Sequence, residues 1–164
     1  LDFNVSAMRA VLIMEQSDSI HYLKEIRLTN SNTEEMAREM KKVAPYTLCY
    51  PDSAGSARST TSNRSDHQIL RDHGFHVVAK KSNPPVIDRL NALNRMLKDS
   101  NGRIRMTVDP QCRYLIKDLE QVQRTRDGKI DKSDIALTHM LDASSYYIAY
   151  KYPIVNRKPI SMEW

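Results

Sequence analysis

The chain has 164 residues, enough for one domain with its own core. Hydrophobic types make up 40% and charged types 27%, which fits a folded globular domain and excludes a disordered or fibrous chain. No apolar run approaches the roughly 18 residues of a membrane span, and a net charge of +5 is compatible with a polyanionic partner without specifying one.

The first stretch, Phe3 to Met14, is rich in apolar and β-branched residues and predicts a strand. Its start alternates, with Asp2, Asn4 and Ser6 on one side and Phe3, Val5 and Ala7 on the other. A turn at Ser17-Asp18-Ser19 leads into a second strand, Ile20 to Leu28, giving an antiparallel hairpin. A helix follows with a capping signature. Asn32 or Thr33 caps it, Glu34 and Glu35 sit in its first turn, and Lys41 and Lys42 sit near its end. Tyr46 to Tyr50 predicts a short strand that stops at Pro51-Asp52, and a polar loop runs from Ser53 to Arg64. Ser65 to His73 predicts a helix stopped by Gly74. Phe75 to Ala79 reads as a strand. Asn83-Pro84-Pro85 opens a helix to about Lys98, with Ile87, Leu90, Leu93 and Leu97 on one side. Asn101-Gly102 turns the chain into a strand from Ile104 to Val108, and Asp109-Pro110 starts a helix through Leu119. Arg126-Asp127-Gly128-Lys129 marks a tight turn. Ser133 is expected to cap a last helix to about Tyr150, and the tail from Pro153 to Trp164 is irregular. The alternation implies an α/β fold: a mixed central sheet flanked by helices on both faces.

Cys49 and Cys112 have no zinc-ligand spacing and read as free intracellular thiols. The chain begins at Leu1 with no signal peptide and no initiator Met. It is expected to be a single domain over residues 1–164, excised from a longer protein.

Three acids stand out by setting. Asp2 opens an otherwise apolar strand, where a carboxylate is costly without a partner; it also reads as a frayed terminal residue. Asp52 lies just past a strand, where ligands gather in open α/β sheets; it also reads as an Asx cap. Asp142 lies in a helix whose neighbours Met140, Leu141, Ala143, Tyr147 and Ile148 are apolar over most of its circumference. A buried carboxylate there needs a cation, or a partner such as His139, three residues earlier on the same face, or an Arg. Convergent carboxylates would suit Mg²⁺, which prefers oxygen ligands. Spacing alone does not select these three among twenty acidic residues.

Several strings together resemble the nuclease domain of phage terminase large subunits. They are Asp2-Phe3-Asn4-Val5-Ser6-Ala7-Met8, Asp52-Ser53-Ala54-Gly55-Ser56 with Ser59-Thr60-Thr61, Gly74-Phe75, Ser82-Asn83-Pro84, Val108-Asp109-Pro110-Gln111-Cys112 and Thr138-His139-Met140-Leu141-Asp142-Ala143. Each is weak alone, but their order spans nearly the whole chain. The resemblance implies an RNase H-like fold. It also implies a Mg²⁺- or Mn²⁺-dependent endonuclease that cuts double-stranded DNA with two ions during phage genome packaging in the host cytoplasm. By position Asp2, Asp52 and Asp142 match the family's metal-binding, catalytic triad, and His139 a nearby polar residue. In the full-length protein the implied partners are a portal protein and the terminase small subunit, with no membrane. No Gly-x-x-x-x-Gly-Lys-Ser/Thr string occurs, so the family's ATPase motor lies outside this chain. Sequence-independent phosphate contacts are expected from Arg58, Arg64, Lys80, Lys81, Arg124, Arg126 and Lys129. The alternatives are another RNase H-like nuclease, such as a junction resolvase or transposase core, and a non-catalytic docking module suggested by the tail ending at Trp164.

Overall fold

The computed structural model describes residues 1–4, 6–57, 63–126, 129–131, 133–134 and 137–154. The Arg126–Lys129 turn and the tail to Trp164 therefore lie partly or mostly outside the described residues. The elements in chain order are β1 (Met8–Gln16), β2 (Ser19–Leu28), α1 (Thr33–Val43), β3 (Leu48–Cys49), a 3-10 turn (Ser53–Ser56), α2 (Asp66–Asp72), β4 (His76–Val77), α3 (Val86–Leu97), β5 (Met106–Val108), α4 (Arg113–Gln121) and α5 (His139–Lys151).

β1 and β2 form the expected hairpin, and β5 adds to β2 in parallel. β3 and β4 form a separate parallel pair. The first two residues join the two sheets. The Leu1 nitrogen donates to the Tyr50 carbonyl at 3.2 Å, and the Asp52 N–H donates to the Leu1 carbonyl at 3.0 Å. On the other side Asp2 and Arg9 exchange two backbone hydrogen bonds of 2.8 and 3.2 Å. The layer therefore runs β5, β2, β1, Leu1–Asp2, β3, β4, with mixed strand directions.

The long strand expected from Phe3 to Met14 is divided. The Asn4 side chain accepts from the Ser6 N–H and hydroxyl, and the Ala7 N–H donates to the Asn4 carbonyl. Such an Asx turn competes with strand geometry. It reverses the chain, so Asp2 pairs back onto Arg9 and only the run from Met8 onward is β1.

Strand alternation gives each face of the sheet its own core. Even-numbered Met8 and Ala10 of β1 pack with Met36 and Ala37 of α1, Leu70 of α2, and Leu1, Cys49 and Phe75. Odd-numbered Val11 and Ile13 pack on the opposite face, with Ile20, Tyr22, Met106, Leu93, Met96, Leu115 and Ile148. In β2 the face changes midway: Ile20 and Tyr22 serve the second core, Ile26 and Leu28 the first. Leu12 pairs with Lys24 and Ile13 with Tyr22, which leaves Leu23 as the extra residue of a bulge. One inserted residue reverses which side chains face which core. The helices accordingly lie on both faces, α1 and α2 on one, α3, α4 and α5 on the other.

The local signals explain most element ends. The Asn32 side chain accepts from the Glu35 N–H, and the Ser65 hydroxyl from the Gln68 N–H. Gly74 follows α2 at φ +91, where an L side chain would be strained, and its Cβ would meet the Tyr46 ring at 2.9 Å. Three expectations need correction. Leu90, Leu93 and Leu97 of the expected α3 stripe do face the core, but the fully buried face also takes in Arg89, Ala92 and Met96, and Ile87 is exposed. α4 begins at Arg113, because the Asp109 side chain holds the Gln111 N–H in a turn. The last helix begins at His139, not at Ser133, and its cap comes from elsewhere in the chain.

Candidate metal-binding active site

That cap is Asp118. Thr138 precedes α5 with φ 86 and makes no side-chain cap bond. Asp118, buried on α4, instead accepts the N–H groups of Met140 and Leu141, each at 3.0 Å on the same oxygen. A carboxylate at the start of a helix satisfies unpaired donors and complements the helix dipole. Burial raises its pKa, and those backbone hydrogen bonds lower it.

α5 carries His139 and Asp142 on its first turns and Tyr146 one turn further on. Sheet alternation sends Leu1 into the core under α1 and α2 and points Asp2 the other way, toward α5. There His139 Nδ1 lies 3.1 Å from an Asp2 carboxylate oxygen. Asp2 is 8% exposed. Burial pushes its pKa up, the His139 hydrogen bond opposes this, and the nearby Asp142 charge adds to the rise.

Asp52 follows β3 and Pro51. One of its oxygens accepts from the Ala54 N–H at 2.8 Å and from the Asn83 amide at 2.5 Å; the other accepts from the Tyr146 hydroxyl at 3.1 Å. Asn83 also takes the Ser53 N–H, and the His67 ring lies 2.8 Å from the Asp52 carbonyl. Gly55 lets the 3-10 turn approach this corner, since a Cβ there would lie 2.3 Å from the Phe3 ring. The Asx-cap reading of Asp52 thus describes one of its contacts and not the others.

Asp142 pairs with Arg89 of α3 at 2.9 Å. The Arg89 guanidinium also donates to the Ser145 hydroxyl at 2.6 Å and lies 4.6 Å over the Tyr146 ring. Tyr146 is the common neighbour. Burial raises its pKa far above the ordinary tyrosine value, and the charges of Asp52, Asp142 and Asp2 raise it further against the opposing Arg89. The three acids from the two ends and the first third of the chain therefore share one neighbourhood.

The donor set suits a hard divalent ion: carboxylate oxygens, one imidazole, and crowded negative charge that a cation would relieve. In the structure each carboxylate is turned to a protein partner. Among the described residues no three acidic, His or Cys side chains already form a closed ligand cluster. A cavity of about 250 Å³ beside this corner is mainly apolar, lined by Leu1, Leu12, Cys49, Phe75 and Tyr147 among others.

The basic residues are dispersed. Arg58 lies outside the described residues. Arg64 bridges Glu34 of α1 and Asp72 of α2, at 2.8 and 3.0 Å. Lys80 and Lys81 are exposed, with the Lys80 ammonium 5.7 Å over Tyr150. Arg124 donates to Asn91 and sits on the bridge to Ile130, beside exposed Arg126 and Lys129. Both cysteines are free and buried, one in each core.

Sequence reasoning did not select Asn83, Arg89, Asp118 or Tyr146 as site residues. Two of them had a signal: Arg89 stands at the first position of the apolar stripe with Ala92, Leu93 and Met96, and Asp118 stands three residues after Leu115 on the apolar face of α4. A charge at a stripe position calls for a buried partner.

This mixed sheet with helices on both faces is an RNase H-like fold. The chain belongs to the terminase RNase H-like domain family, whose model matches residues 1–151. A search of curated proteins finds no match. Among solved structures the fold is similar to the large terminase nuclease domain of P22 (TM-score 0.68, 15% identity, covering 93% of this chain and 79% of that one). It is also similar to the g2p large terminase nuclease domain of bacteriophage SPP1 with bound Mn (TM-score 0.54, 16% identity, 88% and 80%). A third is the large terminase nuclease of thermophilic phage G20c with bound cobalt (TM-score 0.51, 10% identity, 92% and 85%).

Proposed function

We propose that this chain is a divalent-metal-dependent endonuclease that cuts double-stranded DNA during phage genome packaging, with Asp2, Asp52 and Asp142 as its metal-ligating and catalytic residues. The observation that carries the reading is that three carboxylates far apart in sequence are tied to the start of α5: the Tyr146 hydroxyl holds Asp52, His139 holds Asp2, and the Arg89 that pairs with Asp142 lies over the Tyr146 ring. Family membership and the Mn- and Co-bound relatives support it. Mg²⁺ or Mn²⁺, as two ions held by these acids, would supply an activated water and stabilise charge on the leaving oxygen of a phosphodiester.

The protein's own groups prepare the place. His139 orients Asp2, while Asn83, Tyr146 and the Ala54 N–H fix Asp52. Asp118 anchors the helix that carries Asp142. Phosphate contacts are assigned to Arg58, Arg64, Lys80, Lys81, Arg124, Arg126 and Lys129, of which Arg64 would have to exchange Glu34 and Asp72 for DNA. Such contacts position duplex DNA without reading its sequence. Portal protein and the terminase small subunit are the partners proposed for the full-length protein, at work in the host cytoplasm.

Nicking of supercoiled plasmid tests the reading. Cleavage is expected with Mg²⁺ or Mn²⁺, absent in EDTA, and lowered at least about a hundredfold in Asp142→Asn, since ion-stabilised charge accounts for several kcal/mol of a transition state. A wild-type protein that leaves plasmid and linear duplex intact with both metals overturns it. A preference for four-way junctions over linear duplex overturns the packaging role alone.

A further inference from the structure

We infer that Arg89 is a resident counter-cation of the acidic site, a positioning residue that holds Asp142 and competes with a divalent ion for it. The inference rests on the reading of Asp142 as a metal ligand and adds a residue to that reading.

Three observations meet at this side chain. First, Arg89 is only 5% exposed and occupies a position where its stripe neighbours Ala92, Leu93 and Met96 are apolar. An arginine keeps its charge at any accessible pH, so burying it here carries a desolvation cost that an aliphatic side chain would not. Second, the guanidinium is not fully used. One terminal nitrogen serves both Asp142 and Ser145, while the buried Nε has no hydrogen-bond partner. An orphaned buried donor is a net loss that an optimised structural ion pair would avoid. Third, the same guanidinium lies over the Tyr146 ring, whose hydroxyl holds Asp52. One cation therefore touches the helix-borne acid directly and reaches the loop-borne acid through a single ring.

A purely structural salt bridge explains the first contact but not the unused Nε or the connection to two of the three acids. A counter-cation that competes with a divalent ion for Asp142 explains all three. It neutralises Asp142 and turns it toward α3. A divalent ion arriving at Asp142 must then compete with a charge of its own sign a few ångströms away.

The test is a calorimetric titration of the wild type and Arg89→Gln with Mn²⁺. Removing the competing cation is expected to tighten Mn²⁺ binding by on the order of tenfold. A second measurement needs no variant and decides the matter where Arg89→Gln does not fold. The Nε–Hε signal of Arg89 in the wild-type protein is followed by NMR during titration with diamagnetic Mg²⁺, and should shift and saturate with the calorimetric Mg²⁺ affinity. A folded Arg89→Gln that binds Mn²⁺ no more tightly than the wild type overturns the inference, as does an Arg89 signal that stays fixed while Mg²⁺ binds. Both leave the nuclease reading standing. If neither protein takes up either metal at millimolar concentration, the inference and the metal-site reading fall together.

Discussion

The core under α1 and α2 and the core under α3, α4 and α5 bury similar aliphatic side chains, yet they supply the site differently. The first contributes Asp2, through the buried Leu1 beside it, and Asp52, at the end of the line through Cys49. Both acids are held by hydrogen bonds from backbone, amide, hydroxyl or imidazole groups. The second contributes Asp142, held by a full positive charge, and anchors its helix with a further buried carboxylate. The site is thus a seam between two packed bodies. Its two sides differ in what must be exchanged to free a carboxylate: hydrogen-bond donors on one side, a guanidinium on the other.

Weakening one core at a time separates the two bodies. Leu70→Ala and Leu93→Ala each remove a side chain with almost no exposure, one from each core. Each should cost about 2–5 kcal/mol in urea unfolding, through lost transfer energy and the cavity left behind. Cys49 and Cys112 report on the two bodies separately, since burial raises both thiol pKa values, Cys112 to about 11. If the seam makes the halves one cooperative unit, either mutation accelerates alkylation of both cysteines equally. Acceleration of only the cysteine in the mutated core would show that the halves open independently.

Asp118→Ala sharpens the comparison from the cation-bearing side. It leaves two backbone N–H groups of α5 without their acceptor, at a cost of about 2–4 kcal/mol. Asp118→Asn should recover most of that loss, because both bonds fall on one oxygen that an amide retains. Thermal unfolding decides it; an Asn variant as weak as Ala would show that charge, not the cap, matters.

The smallest effect belongs to Asp2. Its folded pKa is raised, chiefly by burial, so the carboxyl contributes stability below its unfolded pKa and loses it as pH rises through the folded value. At pH 7 the ionised form is a burden on the metal-free fold. Asp2→Asn should therefore gain roughly 0.5–2 kcal/mol at pH 7, in the range of functional-site stabilisations, and nothing at pH 3. A melting series over that range checks the sign; a gain that grows toward low pH contradicts it.

Much of this was readable in the residues themselves. The β1–β2 hairpin, the Asn32 and Ser65 caps and the Gly74 stop each depend on neighbours within a few positions. So did the suspicion about Asp142, an acid inside an apolar helix. What escaped depends on distant partners. Nothing near residue 139 announces that α5 is capped from α4. The Leu23 bulge is visible only in the pairing with β1. Asn83 and Tyr146 matter because the fold brings them to Asp52. The motif resemblance supplied the choice of acids that spacing could not, but it said nothing of Arg89.

One consequence follows from the way Leu1 and Asp2 tie the two sheets together. A nuclease that hydrolyses any duplex within reach is a hazard to the cell that is making it. The acids proposed above as metal ligands are drawn from both cores, and the strip of chain that joins the two sheets carries one of them. A half-formed molecule, with either body assembled alone, would lack at least one carboxylate in place. With those acids as the proposed ligands, cutting power would arrive with the last tertiary contact rather than the first, and completion of the fold would act as its own safety catch.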